Sequence, residues 1–308
     1  MTTLYESFLL TSRANSNKLA LNHFTFDELL SKVESEPYNL IAQHDDYRII
    51  IDILVASKHN RPLVILPMDK KDYFIPSKIH DSFGLYLYTS GSTSGVRKPI
   101  FLSESMLLQN ANNAISCQNI TNNDVIFTVC SMHHTGGINV QLLPSLLIGC
   151  TNIVEDFNAF TFNRRLEETK ATVTHLVPRM LNQLRTVSKN NLRLVAAGSD
   201  CITKEHISKW LDVGVDFMVN YGLTEAGPVI INHTFKDLSE LEIFDNGVPL
   251  GDNISCEYKI DDNELFLNGR EVTIDGWLQT GDCMYIKDNW FFYRGRKSAG
   301  CKFVPKRY

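Results

Sequence analysis

Between residues 125 and 222, short runs of apolar and β-branched residues alternate with amphipathic stretches, and this alternation limits the chain to few folds. Residues 125–129, 151–154, 171–177, 192–196 and 215–219 read as strands. Helical spacing fills the gaps: residues 136–148 with a break near Pro144, residues 160–169, a stretch opened by Pro178, and a helix from Thr203, its cap, to residue 211. Strands separated by helices predict an open, largely parallel sheet covered on both faces.

The flanks read differently. The first sixty residues are predicted helical, with helices near 4–10, from Phe26 until Pro37 closes it, and a buried one over 47–57. A strand at 62–66 and a polar connection over 70–81 precede the apolar run Phe83-Gly84-Leu85-Tyr86-Leu87-Tyr88. After about residue 228, short strands at 256–260, 264–268, 283–286 and 290–293 are separated by Asp-Asp-Asn and Lys-Asp-Asn turns, which predicts a small antiparallel unit. The expected fold class is α/β, with open mostly parallel sheets, flanking helices and a small antiparallel β subdomain. The expected division is a core over 1–235 and a β unit over 236–308.

Composition removes several classes of function. A formal charge of −5 argues against nucleic acid or an anionic membrane surface as partner. No apolar run reaches spanning length, and Met-Thr-Thr-Leu-Tyr-Glu has no signal-peptide pattern. The seven cysteines contain no Cys-x-x-Cys pair, which suits free thiols in a cytoplasmic protein.

Tyr88-Thr89-Ser90-Gly91-Ser92-Thr93-Ser94-Gly95-Val96-Arg97-Lys98-Pro99 packs two glycines and five hydroxyls between the 83–88 strand and a helix expected over 102–115, capped by Ser103. Backbone N–H groups, hydroxyls and Lys98 in such a loop suit phosphate oxygens, although the spacing is not a Walker A motif. Two further clusters fall at predicted strand ends, where open α/β sheets bind ligands. They are Gly198-Ser199-Asp200 and Asn220-Tyr221-Gly222-Leu223-Thr224-Glu225. Tyr221 at a tight turn would offer an aromatic face, and Thr224 and Glu225 offer hard oxygen ligands for Mg²⁺. Asp282, after the turn in Gly276-Trp277-Leu278-Gln279-Thr280-Gly281, would accept sugar hydroxyls. His133 and His134 precede a helix start without the further ligands a metal site needs, which suits the lining of a pocket.

These pieces, with Gly295-Arg296, occur in the order found in the acyl-adenylate-forming family, which the chain resembles over more than two thirds of its length. That family includes acyl- and aryl-CoA ligases, nonribosomal-peptide adenylation domains and firefly luciferase. The resemblance implies that a carboxylate attacks the α-phosphate of ATP, giving an acyl-AMP and pyrophosphate, before transfer to a thiol or amine. It implies that Thr89, Ser90, Gly91, Ser92, Thr93 and Lys98 hold the β- and γ-phosphates. Gly198, Ser199, Asn220, Tyr221 and Gly222 would surround adenine, and Thr224 would contact the α-phosphate. Glu225, with a weaker contribution from Thr93, would bind Mg²⁺. Asp282 and Arg296 would hold the ribose, and His134 would border the acyl pocket. A small carboxylic acid is the implied substrate, with CoA, a carrier protein or a separate lid domain as partner.

The chain departs from the family pattern in places. Four residues separate Thr93 from Lys98 where three are usual, and Arg97 replaces a proline. The segment before the loop is short. Ser298 and Ala299 stand where a hinge acid is expected, and the sequence ends at Tyr308, so the family's mobile lid with its lysine is expected to be missing. The basic residues Lys297, Lys302, Lys306 and Arg307 read mainly as a solvated terminus. A nucleotide or acyl-adenylate binder without turnover, or half of a split ligase, is the alternative expectation.

Overall fold

In the computed structural model, which describes residues 2–68, 73, 75–88, 99–244 and 247–299, reciprocal capping boxes start the first two helices. Thr3 with Glu6 opens α1 (Leu4–Ala14), and Thr25 with Glu28 opens α2 (Phe26–Ser35). Between them lies the hairpin of β1 (Leu19–Leu21) and β2 (Phe24–Thr25). Next come β3 (Ile41–Ala42), α3 (Arg48–Lys58), β4 (Leu63–Ile65), β5 (Gly84–Tyr88) and β6 (Pro99–Ser103). The alternating part begins with α4 (Glu104–Gln118), β7 (Val125–Thr128), α5 (Thr135–Gly137), a π-helical turn at Ile138–Leu142, α6 (Leu143–Ile148) and β8 (Thr151–Val154). It continues with α7 (Phe162–Thr169), β9 (Val173–Leu176), α8 (Pro178–Gln183), β10 (Leu194–Ala197), α9 (Lys204–Leu211), β11 (Asp216–Leu223) and β12 (Gly227–Phe235). After it stand α10 (Ser239–Glu242), β13 (Asn253–Ile254), β14 (Glu257–Asp261), β15 (Glu264–Asn268), β16 (Leu278–Lys287) and β17 (Trp290–Arg296).

Among the described residues these strands form three sheets. The largest has the order β13-β12-β11-β10-β9-β7-β8-β1-β2. It is parallel from β11 to β1 and antiparallel at both ends. A second sheet runs β3-β4-β5-β6, and a third, wholly antiparallel, runs β14-β15-β16-β17. The centre of the large sheet is covered on both faces, as parallel strands require. Val195 and Ala197 of β10 pack with Trp210, Phe217 and Val219 on one side, whereas Leu194 and Ala196 pack with Met218 and Ile126 on the other. The two-residue period of the strand therefore feeds two separate cores.

Several sequence expectations are corrected. The first sixty residues hold α1, α2 and α3 but also three short strands, each too brief to show a period. The helix expected from residue 102 starts at Glu104, capped by Ser103 as predicted, and β6 comes before it. The phosphate-type loop is therefore followed by a strand, not by a helix N-terminus, and the Tyr88–Pro99 pair of β5 and β6 closes it. The irregularity expected at Pro144 is a π-helical turn ahead of it; the run continues into α6, and the Val140 carbonyl four residues before Pro144 accepts instead from Gln118 Nε2 (2.9 Å). Strand β13, within the stretch 236–308, pairs with β12 at the end of the large sheet. Cys283 is disulfide-bonded, against the expectation of free thiols, while the other described cysteines are free. Among the described residues no helix is long and apolar enough to cross a membrane.

Candidate active site

The predicted site residues that fall within the described structure gather at the carboxyl ends of four neighbouring strands, β7, β9, β10 and β11, together with the adjoining edge of the small antiparallel sheet. Thr89, Ser90, Gly91, Ser92, Thr93 and Lys98 lie outside the described residues.

Gly198 directly follows β10, buried, and Ser199 after it is exposed with φ of 76°. A non-glycine residue in this left-handed region is strained, a state found mostly at turns and functional sites. Gly198 is a close-approach glycine: a Cβ there would stand 2.4 Å from the Asn220 carbonyl oxygen. The Asn220 side chain is itself fully engaged. Its Nδ2 donates to the Pro228 carbonyl (2.8 Å), and its Oδ1 faces His175 Nε2 (3.3 Å). The amide oxygen is an acceptor, so His175 carries its proton on Nε2, leaving Nδ1 to face Cys130 Sγ at 3.3 Å. A chain Cys130–His175–Asn220–Pro228 thus crosses the ends of four strands. Burial holds His175 down to about 4 and pushes the Cys130 thiol up to about 12, so both are neutral at pH 7. Sequence reading missed His175 because it sits within an apolar strand and looks like core.

Strand β11 runs to Leu223, so Tyr221 and Gly222 lie in a strand rather than at the predicted turn. The turn is Thr224–Ala226, with Thr224 and Glu225 partly exposed and the Glu225 carbonyl accepting from Thr273 N (2.9 Å). His134, exposed, occupies the N-cap position of α5 as expected, next to the buried His133.

Asp282 also lies within a strand, not after a turn. Glu264 pairs with Cys283 and Phe266 with Gln279, so Thr280, Gly281 and Asp282 together oppose a single residue, Leu265. This bulge, made possible by Gly281 at φ of 73°, turns the Asp282 side chain toward β11. Tyr221 Oη donates to Asp282 Oδ2 (2.7 Å), and Arg296 Nε forms an ion pair with Oδ1 (3.1 Å) from the facing register position on β17. Arg296 also donates to the Thr280 carbonyl (2.9 Å). Asp282 is only 4% exposed. Burial raises the Asp282 pKa above the ordinary carboxylate range, although Tyr221 and Arg296 pull against it. Burial, and then the Asp282 charge, raise Tyr221 well above its usual value. The arrangement presents one nearly dry carboxylate held by Tyr221, Arg296 and Tyr293.

Among the described residues no group of three or more His, Cys, Asp or Glu could hold a metal ion. Glu225 with Thr224 fits a hard cation carried largely by a ligand's own oxygens, as Mg²⁺ on phosphates is.

Residues 30–271 match the family model described as AMP-binding enzyme. The chain is similar to indoleacetate–CoA ligase of Aromatoleum aromaticum, 32% identical over 152 residues, which is 47% of this chain and 30% of that protein. It is also similar to 2-succinylbenzoate–CoA ligase of Enterococcus faecalis, 24% identical over 94% of this chain and 65% of that protein. The chain therefore spans from under a third to under two thirds of these relatives' length. Among solved structures it resembles the inhibitor-bound N-terminal domain of FACL13 from Mycobacterium tuberculosis, with a TM-score of 0.80 and 13% identity, covering 96% of this chain and 100% of that one. It also resembles O-succinylbenzoate Coenzyme A synthetase from Bacillus subtilis in complex with AMP, with a TM-score of 0.79 and 16% identity, covering 95% and 98% of the two chains. These likenesses establish the fold, the one expected from sequence. With the family model covering residues 30–271, the chain belongs to the AMP-binding enzyme family.

Proposed function

We propose that this chain binds ATP with Mg²⁺ and activates a small carboxylic acid as an acyl-adenylate. One carboxylate oxygen attacks the α-phosphorus, the bond from that phosphorus to the bridging oxygen of the β-phosphate breaks, and pyrophosphate leaves. The acid reacts as its anion, so no protein base is needed; the work is positioning and charge stabilisation. The observation that carries this reading is Asp282, a buried carboxylate anchored by Tyr221 and Arg296 beside the strand ends where α/β sheets take ligands.

In this reading Asp282 and Arg296 hold the ribose hydroxyls, and Gly198, Ser199, Asn220, Tyr221 and Gly222 shape the adenine slot. Asn220 acts from behind, because its amide is engaged by His175 and Pro228. Thr224 contacts the α-phosphate, and Thr89, Ser90, Gly91, Ser92, Thr93 and Lys98 take the outer phosphates. Glu225, helped by Thr93, holds Mg²⁺, which supplies charge neutralisation when bound. His134 lines the acyl pocket. Transfer of the acyl group to CoA, a carrier protein or an amine is assigned to a step shared with a further domain or partner. Cytoplasmic location is part of the same proposal.

Thermal denaturation with ATP–Mg²⁺, AMP and a non-hydrolysable acyl-AMP mimic tests the site without knowledge of the natural acid. A ligand at about 100 times its Kd stabilises the fold by roughly 2.7 kcal/mol. Lys98→Ala and Asp282→Ala are expected to weaken nucleotide binding at least about tenfold while leaving the fold intact. Unchanged affinity in both variants overturns the assignment. Carboxylate-dependent pyrophosphate release then separates an enzyme from a binding protein.

A further inference from the structure

The bulge that aims Asp282 leaves the Gly281 N–H without a ladder partner, and a buried carboxylate takes it up. Glu264, 1% exposed, accepts from Gly281 N at Oε1 (2.9 Å). At Oε2 it accepts from Gln279 Nε2 (2.9 Å) and Lys297 Nζ (3.0 Å). Burying a carboxylate costs several kcal/mol unless donors surround it. These three donors belong to the two segments that carry Asp282 and Arg296. Gly281 precedes Asp282, Gln279 opens the bulge, and Lys297 directly follows Arg296.

We propose that Glu264 is a positioning residue of the nucleotide site, setting Asp282 and Arg296 against each other without touching the ligand. The proposal rests on the reading of that pair as ribose ligands. Side chains alternate faces along a strand, so relaxation of the bulge by one residue would turn Asp282 away from Tyr221. The Glu264–Gly281 bond opposes that slip from β15. The Glu264–Lys297 ion pair fixes the other partner by holding the residue after Arg296. Both halves of the site thus share one anchoring side chain, with Asp262 Oδ2 (3.3 Å) as a second partner of Lys297.

The test is titration of AMP and 2′,3′-dideoxy-AMP into the full chain, comparing the wild type with Glu264→Ala, Glu264→Gln and Lys297→Met. Wild type should prefer AMP by about tenfold or more, the discrimination expected of a charged hydrogen bond to hydroxyls. Glu264→Ala should lose most of that preference while binding the dideoxy nucleotide within about twofold of wild type. Glu264→Gln keeps an acceptor for Gly281 but not the charge facing Lys297, so it should fall between. Lys297→Met alters a half-exposed residue and should show the same selectivity with a smaller loss, which keeps the test open if Glu264→Ala does not fold. An equal loss for both nucleotides in Glu264→Gln and Lys297→Met, or no loss for AMP, overturns the proposal. A wild type that binds both nucleotides equally overturns the ribose reading, and the positioning role with it.

Discussion

Tyr221 on β11 and Asp282 on β16 stand 61 residues apart in sequence, yet the Tyr221 hydroxyl donates to the Asp282 carboxylate at 2.7 Å. The bond joins the large parallel sheet to the small antiparallel one. It lies where the two sheets meet and ties two strands from different sheets together.

That bond makes a pH prediction. Burial already holds Asp282 above the ordinary carboxylate range, and Tyr221 is one of the groups lowering it. In the proposed site Asp282 accepts ribose hydroxyls as its anion, so AMP affinity should fall as pH drops through its raised pKa. Tyr221→Phe removes a donor to the anion, and the midpoint of that fall should move up by about one pH unit. Calorimetric AMP titrations from pH 4 to 8 measure both midpoints, and coincident midpoints would contradict the role assigned to Tyr221.

A stability prediction follows from His175. Its folded pKa, about 4, lies below the unfolded value near 6.5, so the unfolded chain binds the proton first on acidification. The stabilisation is fully present above pH 6.5 and is lost as pH falls to 4, about 3 kcal/mol in all. His175→Leu should be less stable than wild type at pH 7 by about 1–3 kcal/mol, because Asn220 Oδ1 loses its donor. The gap should close or reverse near pH 4. Urea unfolding at pH 7, 5.5 and 4 reads this directly; parallel curves for the two proteins would show that His175 is not held neutral.

Gly198→Ala tests the packing behind the strand ends. The added methyl would stand 2.4 Å from the Asn220 carbonyl oxygen and 2.6 Å from its Nδ2, so β11 or the Asn220 side chain must move. Overpacking of this kind costs about 1–3 kcal/mol. Guanidinium unfolding should show that loss together with weaker AMP binding. Full affinity alongside lost stability would place the adenine slot elsewhere.

The β-α alternation, the fold class and the order of the glycine-bounded clusters were legible in the sequence because each depends on local pattern. Apolar runs report strands, helical spacing reports covering helices, and glycines report close approach at strand ends. The short strands β1, β2 and β3 were not legible, since two or three residues carry no period. The roles of Glu264 and His175 were invisible for a different reason. An acid beside Leu265 and a histidine among β-branched residues look like ordinary strand positions until their partners arrive from other strands. Family membership and the neighbourhood of the site were thus set by local chemistry. Which groups are neutral, which carboxylate is anchored and which residue anchors it were decided by tertiary structure, because burial and long-range pairing, not residue type, set the charge and aim of a side chain.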